Sequence, residues 1–548
     1  MTIASARKRV KNSMTSFDRE ARVSLALSFV IGALVGLVVV AFILLTGRLA
    51  ARMYPPDSPA WRRVLTPVIG AAFSGYLLYR FFPEARGSGI PQTKFALFIN
   101  DGYISLRTAI GKFLCCSISL ASGIALGREG PSVQIGAGIA SDLGRRFGLS
   151  KPSLRALLPM GCAAALAAAF NTPIAAVLFS LEEIMGDLHA PVLGSVVIAS
   201  ATSWMVLHLI LGDQALFHVP AYHLVDPREF FAYAVLGVVG GFGSVIFVKL
   251  LLYLRLLFRK LPRSTVWLQP AIGGLVVGLM ALYLPEVMGV GYDYVERVLG
   301  GDLALQTVTL LIVLKIIATA TCYSSGNAGG IFGPSLFIGA MIGGALGSVT
   351  HHLFPAITAG PGAYALVGMG ATFAGIIRTP LTSVLMIFEL TRDYTIIVPV
   401  MIANLISFAI SYRLQRQPIY EALAYQEGVS LPTAREIGEG PSVADIARPV
   451  GETDEAGALE AMRTAGVHAW PVVKDGQLLW LVDTAGTPVE LQDAVYPDQP
   501  LSTVIEKMGA ARVDALPVMS RAAAGKILGV VIMPDVLAAF GVAEGRPA

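Results

Sequence analysis

The chain has 548 residues, of which 55% are hydrophobic and only 14% charged, with a mean hydropathy of +0.67. That is too apolar for a water-soluble enzyme of this length. The formal net charge of +4 spreads over loops and tail without forming a basic stripe, so nucleic acid is not an expected partner.

The first feature along the chain is a basic cluster, Arg7, Lys8, Arg9 and Lys11. It precedes Val23 to Gly47, 25 positions without a charged side chain, enough to cross a bilayer as a helix. The positive-inside rule places residues 1–20 in the cytoplasm. The run is too long for the core of a cleavable signal peptide and lacks a clear cleavage site. Further uncharged stretches run from Ala156 to Leu181, Phe230 to Val248 and Tyr394 to Tyr412, and no Asp, Glu, Lys or Arg lies between Lys315 and Arg378. Residues 21–427 therefore read as one all-α polytopic membrane domain. Its four cysteines (Cys115, Cys116, Cys162, Cys322) have apolar neighbours and match no metal or haem spacing, so they read as small buried hydrophobes.

This domain is an internal repeat, with halves of about 21–225 and 226–427. Residues 130–144 read GPSVQIGAGIASDLG and residues 333–347 read GPSLFIGAMIGGALG, identical at nine of fifteen positions at an offset of 203. The same frame sets Phe332 where Glu129 stands. A second block, Thr172 to Glu182, matches Thr379 to Glu389 at an offset of 207. Repeats containing Gly- and Pro-interrupted helices are the mark of secondary transporters with a midplane site. Spacing alone leaves open whether the halves are parallel or inverted.

Three short segments share a Gly-x-x-x-Pro design: Gly87-Ser88-Gly89-Ile90-Pro91, Gly127-Arg128-Glu129-Gly130-Pro131 and Gly330-Ile331-Phe332-Gly333-Pro334. Proline favours the first helical turn, and glycine lets the backbone bend and a ligand approach. Each segment reads as a helix N-terminus inside the membrane, where free N–H groups and the positive dipole end attract an anion. Such backbone is tolerated at membrane depth only when it is buried in protein or lines a cavity.

In these three segments the chain resembles the CLC family of chloride channels and chloride/proton antiporters, whose filter motifs read GSGIP, GREGP and GIFxP. The resemblance implies a homodimer with one pore per subunit, built from inverted repeats of tilted, partly broken helices in the cell (inner) membrane, with both termini cytoplasmic. It implies chloride and protons as substrates. By position, Ser88 and Tyr420 offer hydroxyls to the anion, and the amides of Ile331 and Phe332 face it from the other repeat. Glu129 becomes the gating and proton-accepting glutamate, a carboxylate that mimics the anion until a proton neutralises it. Glu183 becomes the inner proton relay; Glu182, which the repeat pairs with Glu389, reads as shared architecture. Lys112 stands where the family is often basic, and reads either as a source of positive potential or as a snorkelling lysine. His351-His352 has no carboxylate partner or helical spacing and reads as loop, so no metal is expected.

After a linker at 428–440, residues 441–490 and 491–548 repeat at an offset of 46, with Met462, Ala465, Val467, Ala469, Pro471 and Val472 matching Met508, Ala511, Val513, Ala515, Pro517 and Val518. Each copy reads helix, strand, turn, strand. The tail resembles a cytoplasmic α/β CBS pair, which in relatives can bind an adenine nucleotide through a Ser/Thr-x-x-Asp motif. Here Ile532 replaces the hydroxyl residue before Asp535, and Asp483-Thr484-Ala485-Gly486 lacks the pattern, so a structural or dimerising role is the expectation. No enzyme is expected, since neither a catalytic triad nor a phosphate loop is present. The leading reading is chloride/proton antiport, because Glu129 and Glu183 are both present. A passive gated chloride channel is the alternative, and a CBS-based membrane sensor with a vestigial pore a minor one.

Overall fold

The computed structural model describes residues 3–55, 58–188, 192–213, 217, 224–431, 441–489 and 494–540, with side chains from residue 22 onward. The chain divides into two compact units, Met1–Leu423 and Ala424–Ala548. Most of the expected linker lies outside the described residues.

The first unit is helical. Among its described residues and the start of the second unit, seven helical segments are long and apolar enough to cross a membrane: Arg22–Met53, Lys151–Phe170, Leu193–Leu211, Glu229–Arg259, Leu305–Ser324, Phe332–Leu353 and Tyr394–Gln426. Between them lie short helices such as Ile90–Phe98, Pro173–Phe179 and Tyr292–Leu299. Proline in the first turn starts the Ile90, Pro173, Pro361 and Pro380 helices. Left-handed residues end two of the longer ones: Asn171 (φ 61°) closes Lys151–Phe170 and Arg378 (φ 71°) closes Pro361–Ile377. These two positions are 207 apart, so the repeat governs helix ends as well as sequence.

Contacts between the halves are reciprocal. Glu182 accepts the amides of Leu381 (3.3 Å) and Thr382 (2.8 Å), while Glu389 accepts those of Ile174 (2.9 Å) and Ala175 (2.7 Å). Each carboxylate, in the last turns of one copy of the helix, caps the first turn of the other copy. The two helices therefore lie antiparallel about a local two-fold, which is the relation of an inverted repeat. Within each half, glycines permit close helix packing: Gly136 lies on the carbonyl of Gly161, and Gly339 on that of Gly368. A methyl group at any of these four would overlap facing backbone. Large apolar side chains such as Phe29, Ile69, Phe73, Leu209, Phe231 and Ile246 stay exposed, as a lipid-facing surface requires.

Two expectations are corrected. His351 and His352 are not in a loop; they form the last turns of the helix Phe332–Leu353, where His351 Nδ1 lies 3.2 Å from the Thr358 carbonyl. The uninterrupted apolar and glycine-rich face carries the helix that far, and a C-terminal end suits imidazole donors. Lys112 does not snorkel either: it is completely buried. The four cysteines are buried and free.

The second unit is α/β. In its first copy the helix Glu455–Ala465 precedes the antiparallel strands Ala469–Lys474 and Gln477–Asp483, with a short third strand Pro488–Val489. In the second, Leu501–Ala511 precedes Ala515–Met519 and Ile527–Ile532, and Met533–Ala539 follows. Both copies feed one apolar cluster, in which Met462, Trp470, Val472 and Val482 pack with Ala515, Val530 and Ile532. His468 and Asp514, equivalent positions at the offset of 46, bond to each other across it.

Candidate functional site

Glu129 is the first residue of the helix Glu129–Arg146 and is 0% exposed. Its carboxylate reaches across to the other repeat. Oε2 accepts the amide of Gly333 at 3.2 Å, in the first turn of Phe332–Leu353, and Oε1 accepts the hydroxyl of Tyr292. A carboxylate thus sits on a helix N-terminus, the position that suits an inorganic anion.

The loops before the two helices are pinned face to face. Gly127 N–H donates to the Gly330 carbonyl and Gly330 N–H to the Gly127 carbonyl, both at 2.7 Å. These positions are 203 apart, so the pair sits on the same two-fold. A Cβ on Gly130 would stand 2.6 Å from the Ser88 carbonyl oxygen and 3.4 Å from the Gly330 Cα, so all three Gly-x-x-x-Pro segments meet in van der Waals contact.

Ser88 and Tyr420 are both completely buried, and Ser88 Oγ and Tyr420 Oη have no hydrogen-bond partner among the described residues. A buried hydroxyl left unbonded costs about 1–3 kcal/mol. Each is therefore a buried hydroxyl donor available to an anion, and the Ser88 backbone lies against Gly130 at the start of the Glu129 helix. Tyr420 stands in the helix Ile419–Gln426, within electrostatic reach of both Glu183 and Glu129.

The amide that Glu129 takes belongs to Gly333, one residue beyond Phe332. The Phe332 ring instead packs among Phe170, Phe179 and Phe373, with centroids 4.8, 5.4 and 4.5 Å away, and Ile331 is buried. This aromatic cluster fixes the helix start that presents the amides.

Tyr292 is not among the residues that the sequence pattern singles out. Its signal is the repeat itself: Gly289-Val290-Gly291-Tyr292 corresponds to Gly87-Ser88-Gly89-Ile90 at an offset of 202. In both loops the two glycines have positive φ, +85° and +103° against +60° and +84°, and the next residue opens a helix. The buried lysines hold these loops alike. Lys112 Nζ donates to the Gly87 carbonyl (2.8 Å), and Lys315 Nζ to those of Gly289 (2.7 Å) and Val287 (3.0 Å). Thus one loop presents Ser88 and its counterpart presents Tyr292. Tyr292 is held in turn by the Phe217 ring edge-on at 5.3 Å and by the Arg128 guanidinium 5.6 Å from its ring centre.

Glu183 is buried in a π-helical turn, Ser180–Met185, which continues Pro173–Phe179. A π-turn rotates the following side chains relative to an α-helix and recurs at functional sites. Here Glu182 faces the other repeat as a cap while Glu183 faces inward, where Oε1 meets Lys94 Nζ at 2.9 Å. Lys94 also bonds Glu421, the residue after Tyr420.

In the tail, Asp535 is engaged by Arg448 through two bonds of 2.7 Å, which hold the Arg448 guanidinium above its usual proton affinity. A cleft of about 880 Å³ in the first copy is lined by Glu452, Asp454, Glu455, Lys474 and two tryptophans, Trp470 and Trp480. Asp535 is thus taken by Arg448, and Ile532 stands in the hydroxyl position before it.

Comparison with known proteins shows the family. Residues 70–412 match the family model described as voltage gated chloride channel, and residues 492–541 match the CBS domain. The H(+)/Cl(-) exchange transporter ClcA of Vibrio campbellii is 34% identical over 375 residues, 67% of this chain and 80% of the relative. Among solved structures, a slow cyanobacterial Cl-/H+ antiporter superposes with a TM-score of 0.69 at 26% identity, covering 74% of this chain and 97% of its own. A eukaryotic CLC transporter superposes at 0.66 and 20% identity over 93% of this chain and 97% of its own, which extends the shared fold through the tail. The chain is an integral multi-pass membrane protein.

Proposed function

The chain belongs to the voltage gated chloride channel family, and from that premise we propose that it exchanges chloride for protons across the membrane. In this reading Glu129 is the gate and proton acceptor, and Glu183 the inner relay. The observation that carries it is the Glu129 carboxylate held by the Gly333 amide and the Tyr292 hydroxyl, in the position that an anion would take.

The chemistry follows from charge. Ionised Glu129 competes with chloride for the same amide and for the positive end of the Phe332 helix. A proton removes that charge, so the side chain loses its hold and chloride replaces it. Ser88 and Tyr420 bring two hydroxyl donors that do not have to leave another partner to bind the ion. Coupling needs a second acid, and Glu183 is a buried acid within electrostatic reach of Tyr420.

In proteoliposomes, a chloride gradient drives protons uphill. Glu129→Gln moves chloride without protons; proton pumping by that variant would remove Glu129 from the gate. Chloride flux without any coupled protons in the unmodified protein favours the passive channel instead. A homodimer in the cell (inner) membrane, with cytoplasmic termini, completes the reading; one-sided labelling of a cysteine placed near residue 5 tests the orientation.

A further inference from the structure

Glu421 has no part in the scheme above, yet it is a buried carboxylate at its centre. Lys94, Glu183 and Glu421 are only 4%, 5% and 9% exposed. One ammonium bonds both carboxylates, Glu183 Oε1 at 2.9 Å and Glu421 Oε1 beside it. The other oxygen of Glu421, Oε2, is buried with no hydrogen-bond partner among the described residues. Each member comes from a different functional element. Lys94 lies in the helix that Ser88 and Gly89 open, Glu183 in the π-turn, and Glu421 next to Tyr420.

We propose that Glu421 is a second proton-carrying residue, forming with Glu183 a two-carboxylate proton store bridged by Lys94. The proposal rests on the exchange reading above and extends it. Two carboxylates and one ammonium sum to −1 when all are ionised, and an uncompensated buried charge is costly. One proton makes the set neutral. Because the lysine touches both acids, the proton can reside on either. The transfer step is Glu421–COOH with Glu183–COO⁻ giving Glu421–COO⁻ with Glu183–COOH. Lys94 remains an ammonium throughout, its hydrogen bond strengthening to whichever acid is ionised. Glu421 Oε2 is the open oxygen for the proton.

The surrounding charges leave this balance in place. Glu182, next in sequence to Glu183, is turned away onto the Leu381 and Thr382 amides. Arg378, the cation near Glu421, donates to the carbonyls of Ser411, Gln415 and Arg416 and makes no ion pair with Glu421 among the described residues. Tyr420, the residue before Glu421, stands within electrostatic reach of both Glu183 and Glu421.

The inference separates from a purely structural salt bridge by one pair of variants, read as protons moved per chloride in proteoliposomes under a fixed chloride gradient. Glu421→Gln leaves Lys94 and Glu183 as a neutral pair with no proton to accept, so the proton-to-chloride ratio falls at least tenfold. Lys94→Met combined with Glu421→Gln leaves Glu183 as a lone buried acid, and the ratio recovers at least threefold over the single variant. A Glu421→Gln ratio equal to that of the unmodified protein overturns the proposal, as does a double variant without recovery. Should Glu421→Gln fail to accumulate, Glu421→Asp, which keeps the charge, must hold the ratio within about twofold; a tenfold loss there counts against the store. If the unmodified protein moves no protons, the exchange reading fails; if it does and only Glu183→Gln abolishes coupling, the failure belongs to Glu421 alone.

Discussion

In the proposed scheme, Tyr292 is the residue through which the Glu129 gate is set. Its hydroxyl donates to the Glu129 carboxylate while the Gly333 amide holds the other oxygen. A hydrogen bond to a charged group contributes about 1.5–3 kcal/mol, roughly a tenfold to hundredfold bias toward the seated carboxylate. Tyr292→Phe keeps the ring against Phe217 and Arg128 and removes only the donor. Chloride flux at neutral pH is therefore expected to rise about tenfold or more. The change acts through Glu129, so adding Tyr292→Phe to Glu129→Gln has no further effect, a non-additivity that a double-mutant cycle measures. Equal gains in both backgrounds would mean that Tyr292 widens the pathway without acting on the gate.

Between residue and fold stand the paired caps. Glu182 and Glu389 each hold two amides of the opposite repeat, Glu182 accepting the Thr382 hydroxyl as well, so replacing either with alanine strips charge-assisted bonds from a helix start. Glu182→Ala and Glu389→Ala should each destabilise the fold by about 2–4 kcal/mol, read as similar decreases in melting temperature in detergent, while the proton-to-chloride ratio stays as in the unmodified protein. A changed ratio for Glu182→Ala alone would place Glu182 in the proton path. This symmetry is legible in the sequence because Thr172 to Glu182 and Thr379 to Glu389 share a frame at an offset of 207. Other elements are not. Tyr292 hides because its loop shares two glycines but no hydroxyl with the Ser88 loop, and because the offset slips from 203 to 202. The inward turn of Glu183 depends on a π-turn, packed against the Lys151 and Ile90 helices, which leaves no composition signal. Lys94 and Glu421 are 327 residues apart, and only folding brings them to one site.

At the scale of the whole chain, the membrane unit and the tail are each duplicated, and the membrane unit is built around a local two-fold. Composition alone reveals both units, and internal offsets reveal both duplications; the reciprocal bonds between Gly127 and Gly330 show where the membrane axis passes, and in the tail His468 donates to its equivalent, Asp514. What sequence spacing leaves open, the inversion of the membrane halves, is answered by the antiparallel caps. The proposed homodimer predicts a detergent-solubilised particle of twice the 57.8 kDa chain mass, measured by light scattering with the detergent contribution subtracted. A particle of one chain mass that still transports would contradict it.

The most direct test of the account is a reversal-potential measurement on the purified protein in proteoliposomes, under opposed chloride and pH gradients. Exchange predicts that the potential of zero current shifts with the pH gradient and that chloride flowing down its gradient drives protons up theirs. A potential that follows chloride alone, with no proton movement, would contradict it.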